Sequence, residues 1–216
     1  MLAELLVGSE KVDGSSKEWF VPQVGQHHGA PGILPNGGRL VKTHEPYSHV
    51  YQRAIYLVRD VRDVAVSLQT LRTMEGFNEG SFEDFLIRFA RGDVAGYGTW
   101  QEHVASWLVA ANDNSNILVV RYEELLGDTL VKLSEMARFL GVSVDEARLD
   151  EIVMNNPTGK VRDGKGKYAN GRTLASTGEG DTNHNNWRAR YSESELAILE
   201  PSMRVMRQAG YNVERH

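Results

Sequence analysis

Cysteine is absent from the 216 residues. Disulfides, thiolate catalysis and cysteine-ligated metal sites are thereby excluded. A surplus of positive charge is missing too: 24 Lys and Arg stand against 29 Asp and Glu, a formal net charge of −5. Nucleic acid is held through clustered basic side chains, so it is not an expected partner, and any anion site has to be local. No apolar run approaches the roughly 20 residues that cross a bilayer, so no membrane span is expected. The first residues carry no basic segment followed by an apolar core and a small-residue cleavage site. A reducing, cytoplasmic location is compatible with the absence of cysteine and is the expected one. His27 and His28 are adjacent, point apart along the chain and lack a third ligand at metal spacing. They read as solvated loop residues, and no metal is expected.

What is present is an ordinary globular composition, 41% hydrophobic and 25% charged, with length enough for a single domain over 1–216. Its centre is the stretch RAIYLVRDVRDVAVSLQ, residues 53–69. The five apolar residues 54–58 are too few for an ordinary helix and read as a strand buried on both faces. Arg59 stands where that strand ends. Val64, Ala65, Val66 and Leu68 continue as a helix packed back on the sheet, with Asp60 or Asp63 available as its cap. The carboxyl end of a strand feeding a helix is where open α/β sheets bind ligands. A phosphate suits the place: Arg59 offers a planar fork of donors, the helix N-terminus offers amides, and Ser67 offers a hydroxyl. The competing reading is that Arg59 and Arg62, alternating with Asp60 and Asp63, form surface ion pairs that bind nothing.

Around this centre the chain alternates strands and helices, the pattern of an α/β domain with a mainly parallel sheet. Leu2, Leu5 and Leu6 make a helical stripe stopped by Gly8, and it begins in mid-pattern, which suggests a chain that extends upstream. Residues 8–38 read as a loop with one short element near Trp19. A second short strand is expected at 39–43, delivering Lys42 and His44 to the same side. An imidazole there can accept a hydroxyl proton while the lysine steadies transferred negative charge; alternatively, a histidine at a strand end simply bonds a loop carbonyl. Phe82, Phe85, Leu86 and Phe89 behind Ser81 predict a helix, as do Trp100, Val104, Trp107 and Leu108. Residues 92–98 between them could line a pocket. A third strand at 117–120 precedes Arg121 and Tyr122, a helix from Leu130 to Leu140 is stopped by Gly141, and a short helix is expected at 145–153. Residues 155–186 contain six glycines and read as a mobile lid. A capping box from Ser192 to Glu195 opens the last helix, which Pro201 is expected to kink.

Three blocks, LVKTHEPY, IYLVRDVRDVAVSL and VVRYEELLGDTLVKLSEMARFLGV, together resemble the sulfotransferases that use 3′-phosphoadenosine 5′-phosphosulfate. The resemblance implies an α/β fold, a parallel sheet flanked by helices and related to the P-loop nucleotide kinases. It further implies that His44 deprotonates the acceptor, that Lys42 contacts the sulfuryl group, that Arg59 and Ser67 hold the 3′-phosphate, and that Tyr122 packs near the adenine. Gly178 matches a glycine of the family's late loop. The cosubstrate would be 3′-phosphoadenosine 5′-phosphosulfate and the acceptor a hydroxyl, or an amine, of a small molecule or glycan. Two departures accompany the match. The family's first strand and its phosphosulfate-binding loop have no counterpart before the helix at 2–7, so the domain is expected to be N-terminally incomplete and to lack its first strand. In the late loop, Ser176, Thr177 and Gly178 stand ahead of Trp187 where the family has Arg, Lys and Gly, and Arg172 is a candidate substitute. Two other readings stay open: a truncated, non-catalytic remnant that binds a nucleotide or partner, and a nucleotide kinase-like enzyme, which the lack of a G-x-x-x-x-G-K-S/T run disfavours.

Overall fold

Strand β1 (Ala54–Val58) and strand β2 (Ile117–Arg121) lie side by side in parallel, with Ala54 opposite Ile117 and Val58 opposite Arg121. They form a two-stranded sheet in a computed structural model that describes residues 1–8, 11–12, 16–26, 29–155 and 186–213. The expected lid at 155–186 lies outside the described residues except at its two ends, and so do His27, His28, Arg172, Ser176, Thr177 and Gly178. The chain divides into two compact units, one of Met1–His44 with Glu124–Gly180, the other of Glu45–Glu123 with Asp181–His216.

The first unit is helical. It contains α1 (Leu2–Val7) and α2 (Lys17–Phe20), and later α7 (Thr129–Phe139) and α8 (Glu146–Asn155). Leu5, Leu133, Ala137, Leu149 and Ile152 are buried together as its core, with Leu2, Val142 and Val144 against them. Arg148 ties α8 to α1 by donating to the Glu4 carbonyl at 3.3 Å. The strand expected at 39–43 does not form. Lys42 makes one isolated parallel bridge to Gln23, its N–H donating to the Pro22 carbonyl and its carbonyl accepting from Val24, each at 2.8 Å. The ladder stops because the partner turns away at once: Gln26 donates back to the Gln23 carbonyl, with Gly25 at φ 86° in the turn.

The second unit carries the sheet and α3 (Val61–Met74), α4 (Phe82–Arg91) and α5 (Trp100–Asp113). A 3-10 turn (Asn186–Ala189), α9 (Glu193–Ile198) and α10 (Glu200–Gln208) complete it, while α6 (Tyr122–Gly127) follows β2 directly and runs across the division. Its core joins Val61 and Ala65 of α3, Phe85, Leu86 and Phe89 of α4, and Leu199, Met203 and Met206. Phe85 and Leu86 are completely buried, each stabilising by roughly 1.5–3 kcal/mol. Caps set the helix starts: Ser81 accepts from the Asp84 N–H at 3.1 Å, and Thr99 with Glu102, like Ser192 with Glu195, closes a reciprocal capping box.

Two expectations need correction here. β1 is not covered on both faces, since Val58 is 1% exposed but its neighbour Leu57 is 48% exposed. Alternation puts Tyr56 and Val58 on the covered side, with Tyr56 against Trp107, and leaves Leu57 on the other. Nor does Pro201 kink one long helix. Two helices meet at Leu199, and Pro201 sits in the first turn of α10, where its missing N–H would have had no helical partner. Residues 92–98 form a tight turn: Gly92 caps α4 at φ 83°, and a Cβ there would stand 2.7 Å from the Gly98 carbonyl carbon.

Candidate functional site

The turn from β1 to α3 sorts its alternating charges by burial. Asp60 caps α3, accepting from the Arg62 N–H at 2.9 Å, and the Arg62 side chain folds back to pair with Asp60 at 2.6 Å. Both are about 95% buried, so this is an internal pair and not the surface pair that alternation suggests. Arg62 also lies 3.7 Å from the centroid of the Trp187 ring, and the Trp187 backbone N–H donates to Asp63 Oδ1 at 3.4 Å. Arg62 and Asp60 are thus taken up by structure.

Arg59 is left over. Its guanidinium carbon stands 4.9 Å from the centroid of the Tyr122 ring, at the start of α6, and its Nε is buried without a hydrogen-bond partner among the described residues. A buried donor of that kind is costly unless an acceptor meets it. The unmet donor at the end of β1 suits an anionic group such as a phosphate. Ser67 is exposed on α3, and no bond joins it to Arg59. It lies seven residues past the cap, on nearly the same side of the helix as Asp60.

Behind this turn stands a pair that sequence reasoning missed. The Asp60 N–H donates to Glu123 Oε1 at 3.0 Å, and the Tyr211 hydroxyl donates to Glu123 Oε2 at 2.7 Å while lying 3.0 Å from the Val58 carbonyl oxygen. Burial, then the Glu123 hydrogen bond, pushes the Tyr211 phenol well above its ordinary value. The neighbouring Arg121 reaches the Gly210 carbonyl. No local signal marks Tyr211, because its partners lie 88 and 153 positions away in the chain.

Lys42 and His44 belong to the first unit, whereas Arg59, Ser67 and Tyr122 belong to the second. Both Lys42 and His44 are exposed, and Val41 and Thr43 between and before them are half-buried, the alternation of an extended segment. The residues that follow are fastened to α5 within the second unit. Trp107 Nε1 donates to the Glu45 carbonyl at 3.3 Å, and the Tyr47 N–H donates to Ser106 Oγ at 3.1 Å. Tyr51 and Tyr56 both stack on Trp107, with centroids 5.6 and 4.9 Å away. Among the described residues no group of three potential ligands is placed to hold a metal ion, and no helix is long and apolar enough to cross a membrane.

A family-wide sequence model described as "Sulfotransferase domain" matches residues 34–190, more than half of the chain. The chain belongs to the sulfotransferase family. Mouse sulfotransferase 4A1 is 36% identical to it over 126 residues, which are 53% of this chain and 43% of that protein. The chain therefore spans less than half the length of this relative. Among solved structures, mouse sulfotransferase SULT7A1 complexed with PAP is similar at a TM-score of 0.62 and 24% identity, covering 79% of this chain and 66% of that one. Retinol dehydratase in a complex with retinol and PAP reaches a TM-score of 0.63 at 24% identity, covering 85% and 57%. At such identities these two likenesses establish the fold, the P-loop-like α/β architecture of sulfotransferases.

Proposed function

We propose that this sulfotransferase-family chain serves the transfer of a sulfuryl group from 3′-phosphoadenosine 5′-phosphosulfate to a hydroxyl, or an amine, of a small-molecule or glycan acceptor. The observation that carries the reading is the buried, unmet Nε of Arg59 at the end of β1, beside the Tyr122 ring. A 3′-phosphate supplies the acceptor that this donor lacks, the Ser67 hydroxyl offers a second contact, Tyr122 offers an aromatic face to the nucleotide, and Gly178 would approach from the late loop. Support comes from the two solved relatives of the same fold, each of which holds PAP, the product that remains when the sulfuryl group has left.

In this reading His44 accepts the acceptor's hydroxyl proton as the oxygen bonds to sulfur, the bond from sulfur to the 5′-phosphate oxygen breaks, and the electron pair leaves on PAP. Lys42 steadies the negative charge of the group in flight. The protein's contribution is positioning and charge stabilisation, with no covalent intermediate.

The direct test is thermal denaturation of the chain with and without PAP. At about a hundred times its dissociation constant a ligand adds about 2.7 kcal/mol, which for a chain of this size raises the midpoint by about 5–10 °C. The shift is expected in the wild type and lost in Arg59→Ala. Sulfation of a phenolic acceptor is then expected to fall by about a hundredfold or more in His44→Ala, the scale of a lost general base; sustained turnover by that variant would remove His44 from the base role.

A further inference from the structure

The two peptide groups that flank Arg59 are gripped by a single pair of side chains. On one side the Val58 carbonyl lies 3.0 Å from the Tyr211 hydroxyl; on the other the Asp60 N–H donates to Glu123 at 3.0 Å. The pair is itself closed, since Tyr211 donates to Glu123 at 2.7 Å. Glu123 is also the residue after Tyr122, whose ring faces the Arg59 guanidinium at 4.9 Å. Arg59 and Tyr122 thus directly follow neighbouring parallel strands, and the peptide after Arg59 is held by the carboxylate of the residue after Tyr122.

We propose that Glu123 and Tyr211 are positioning residues that aim the Arg59 guanidinium, and through it set the chain's discrimination for a nucleotide bearing a 3′-phosphate. The discrimination part rests on the proposed nucleotide site; the aiming of Arg59 does not. The physical reason is leverage. A long side chain can hold a buried, unmet Nε in one place only if its own backbone cannot rotate, and the peptide planes before and after Arg59 are the two whose rotation would swing it. A carboxylate that accepts from a backbone N–H and a phenol at once makes charge-assisted bonds, stronger than neutral ones.

The test uses four variants of the full chain and two readouts. In ¹⁵N-labelled protein, the heteronuclear NOE of the Arg59 Nε–H group reports the order of that side chain with no nucleotide present. It is expected to drop in Tyr211→Phe and Glu123→Ala. It is expected to recover in Glu123→Gln, because the amide oxygen still accepts from Asp60 while the amide N–H donates to a Tyr211 hydroxyl that turns to Val58. An unchanged Arg59 signal in folded Glu123→Ala and Tyr211→Phe overturns the positioning role, whatever the nucleotide does. The second readout is the ratio of affinities for PAP and for adenosine 5′-phosphate, which lacks the 3′-phosphate. Tyr211→Phe and Glu123→Ala should lower that ratio by about tenfold, the lower end of what loss of a supporting partner costs a ligand site, whereas general loosening of the fold weakens both nucleotides alike and leaves the ratio unchanged. A ratio that Arg59→Ala leaves untouched, or a chain that binds neither nucleotide, would overturn the nucleotide reading and the discrimination role, leaving the NOE result to stand or fall by itself.

Discussion

Arg62 lies face-on over Trp187, 3.7 Å from the ring centroid, while its guanidinium edge is paired with Asp60. One cation therefore joins the cap of α3 to the 3-10 turn at Asn186–Ala189. The Tyr191 hydroxyl, donating to the Arg62 carbonyl at 3.0 Å, and the Arg190 guanidinium, donating to Gln69 at 2.6 Å, fasten the same turn along α3. The segment just after the late loop is thus anchored to the helix that follows Arg59.

Removing the charge on Asp60 leaves Arg62 buried and unpaired, the situation that costs a protein about 3–5 kcal/mol. Asp60→Asn should show that loss in urea denaturation while keeping a side-chain oxygen for the cap. Asp60→Ala should cost about 1 kcal/mol more, the usual worth of an N-cap. Equal stability of the two variants would mean that the cap contributes nothing beyond the ion pair.

Trp107 holds three tyrosines, with Tyr51 and Tyr56 stacked and Tyr47 edge-on at 5.3 Å. It also bonds the Glu45 carbonyl. Trp107→Ala should therefore destabilise by about 3–5 kcal/mol, as large core truncations do. The expected signature in urea is a lower midpoint with an unchanged slope, because the surface exposed on unfolding stays nearly the same. A loss under about 1 kcal/mol, the range of a minor contact, would show that the stack is ornamental to stability.

Much of this framework is legible in the sequence, and the parts that are not share a cause. β1, α3, α4, α5 and α7 follow from apolar periodicity and from capping residues that act within a few positions. The strand expected at 39–43 fails on a tertiary fact: its partner at Gln23 turns off at Gly25 after one bridge. Pro201 was ambiguous locally, since the same residue kinks a helix in mid-run and begins one in its first turn. In the candidate site, alternation of Arg and Asp could not say which arginine folds inward. The answer depends on Trp187 and Asn212, more than a hundred positions away. The pairing of Arg59 with Tyr122 and the hydrogen bonds of Tyr211 are likewise long-range, whereas the expected assignment of Arg59 to a 3′-phosphate and of Tyr122 to an adenine comes from family resemblance.

Glu79 gives a pH prediction with a definite sign. It is 6% exposed and held by Arg72 and Arg88, the latter also donating to the Glu79 carbonyl at 2.9 Å. Burial works to raise its pKa, but the hydrogen bonds from Arg88 and then Arg72 outweigh it and hold the carboxyl below its ordinary value. A depressed folded pKa means that the unfolded state binds the proton first as pH falls. The contribution of Glu79 is therefore complete above the unfolded value of about 4.3 and lost as pH drops through the lower folded one. The stability gap between wild type and Glu79→Gln should be constant near neutrality and close in acid. A gap independent of pH would show that the clasp acts by shape and hydrogen bonding without its charge.

At the alkaline end the sign reverses in origin but again favours the middle of the pH range. Burial is the first cause of a raised pKa for Tyr56, Tyr191 and Tyr211; charges of Asp60, Asp63 and Glu195 add to it at Tyr191, and the Glu123 hydrogen bond adds to it at Tyr211. A phenol whose folded pKa is raised contributes stability that is whole below the unfolded value of about 10 and is lost as pH climbs beyond it. These three of the eight tyrosines should ionise only as the chain unfolds, so part of the tyrosinate absorbance should appear in one step with the loss of helical circular dichroism. Tyr191→Phe separates the contributions. It gives up the bond to the Arg62 carbonyl and should be less stable at neutral pH by about 1 kcal/mol, yet it has no phenol to ionise in the unfolded state. Its deficit should shrink as pH rises past about 10. A deficit that stays constant there would mean that Tyr191 ionises as readily folded as unfolded.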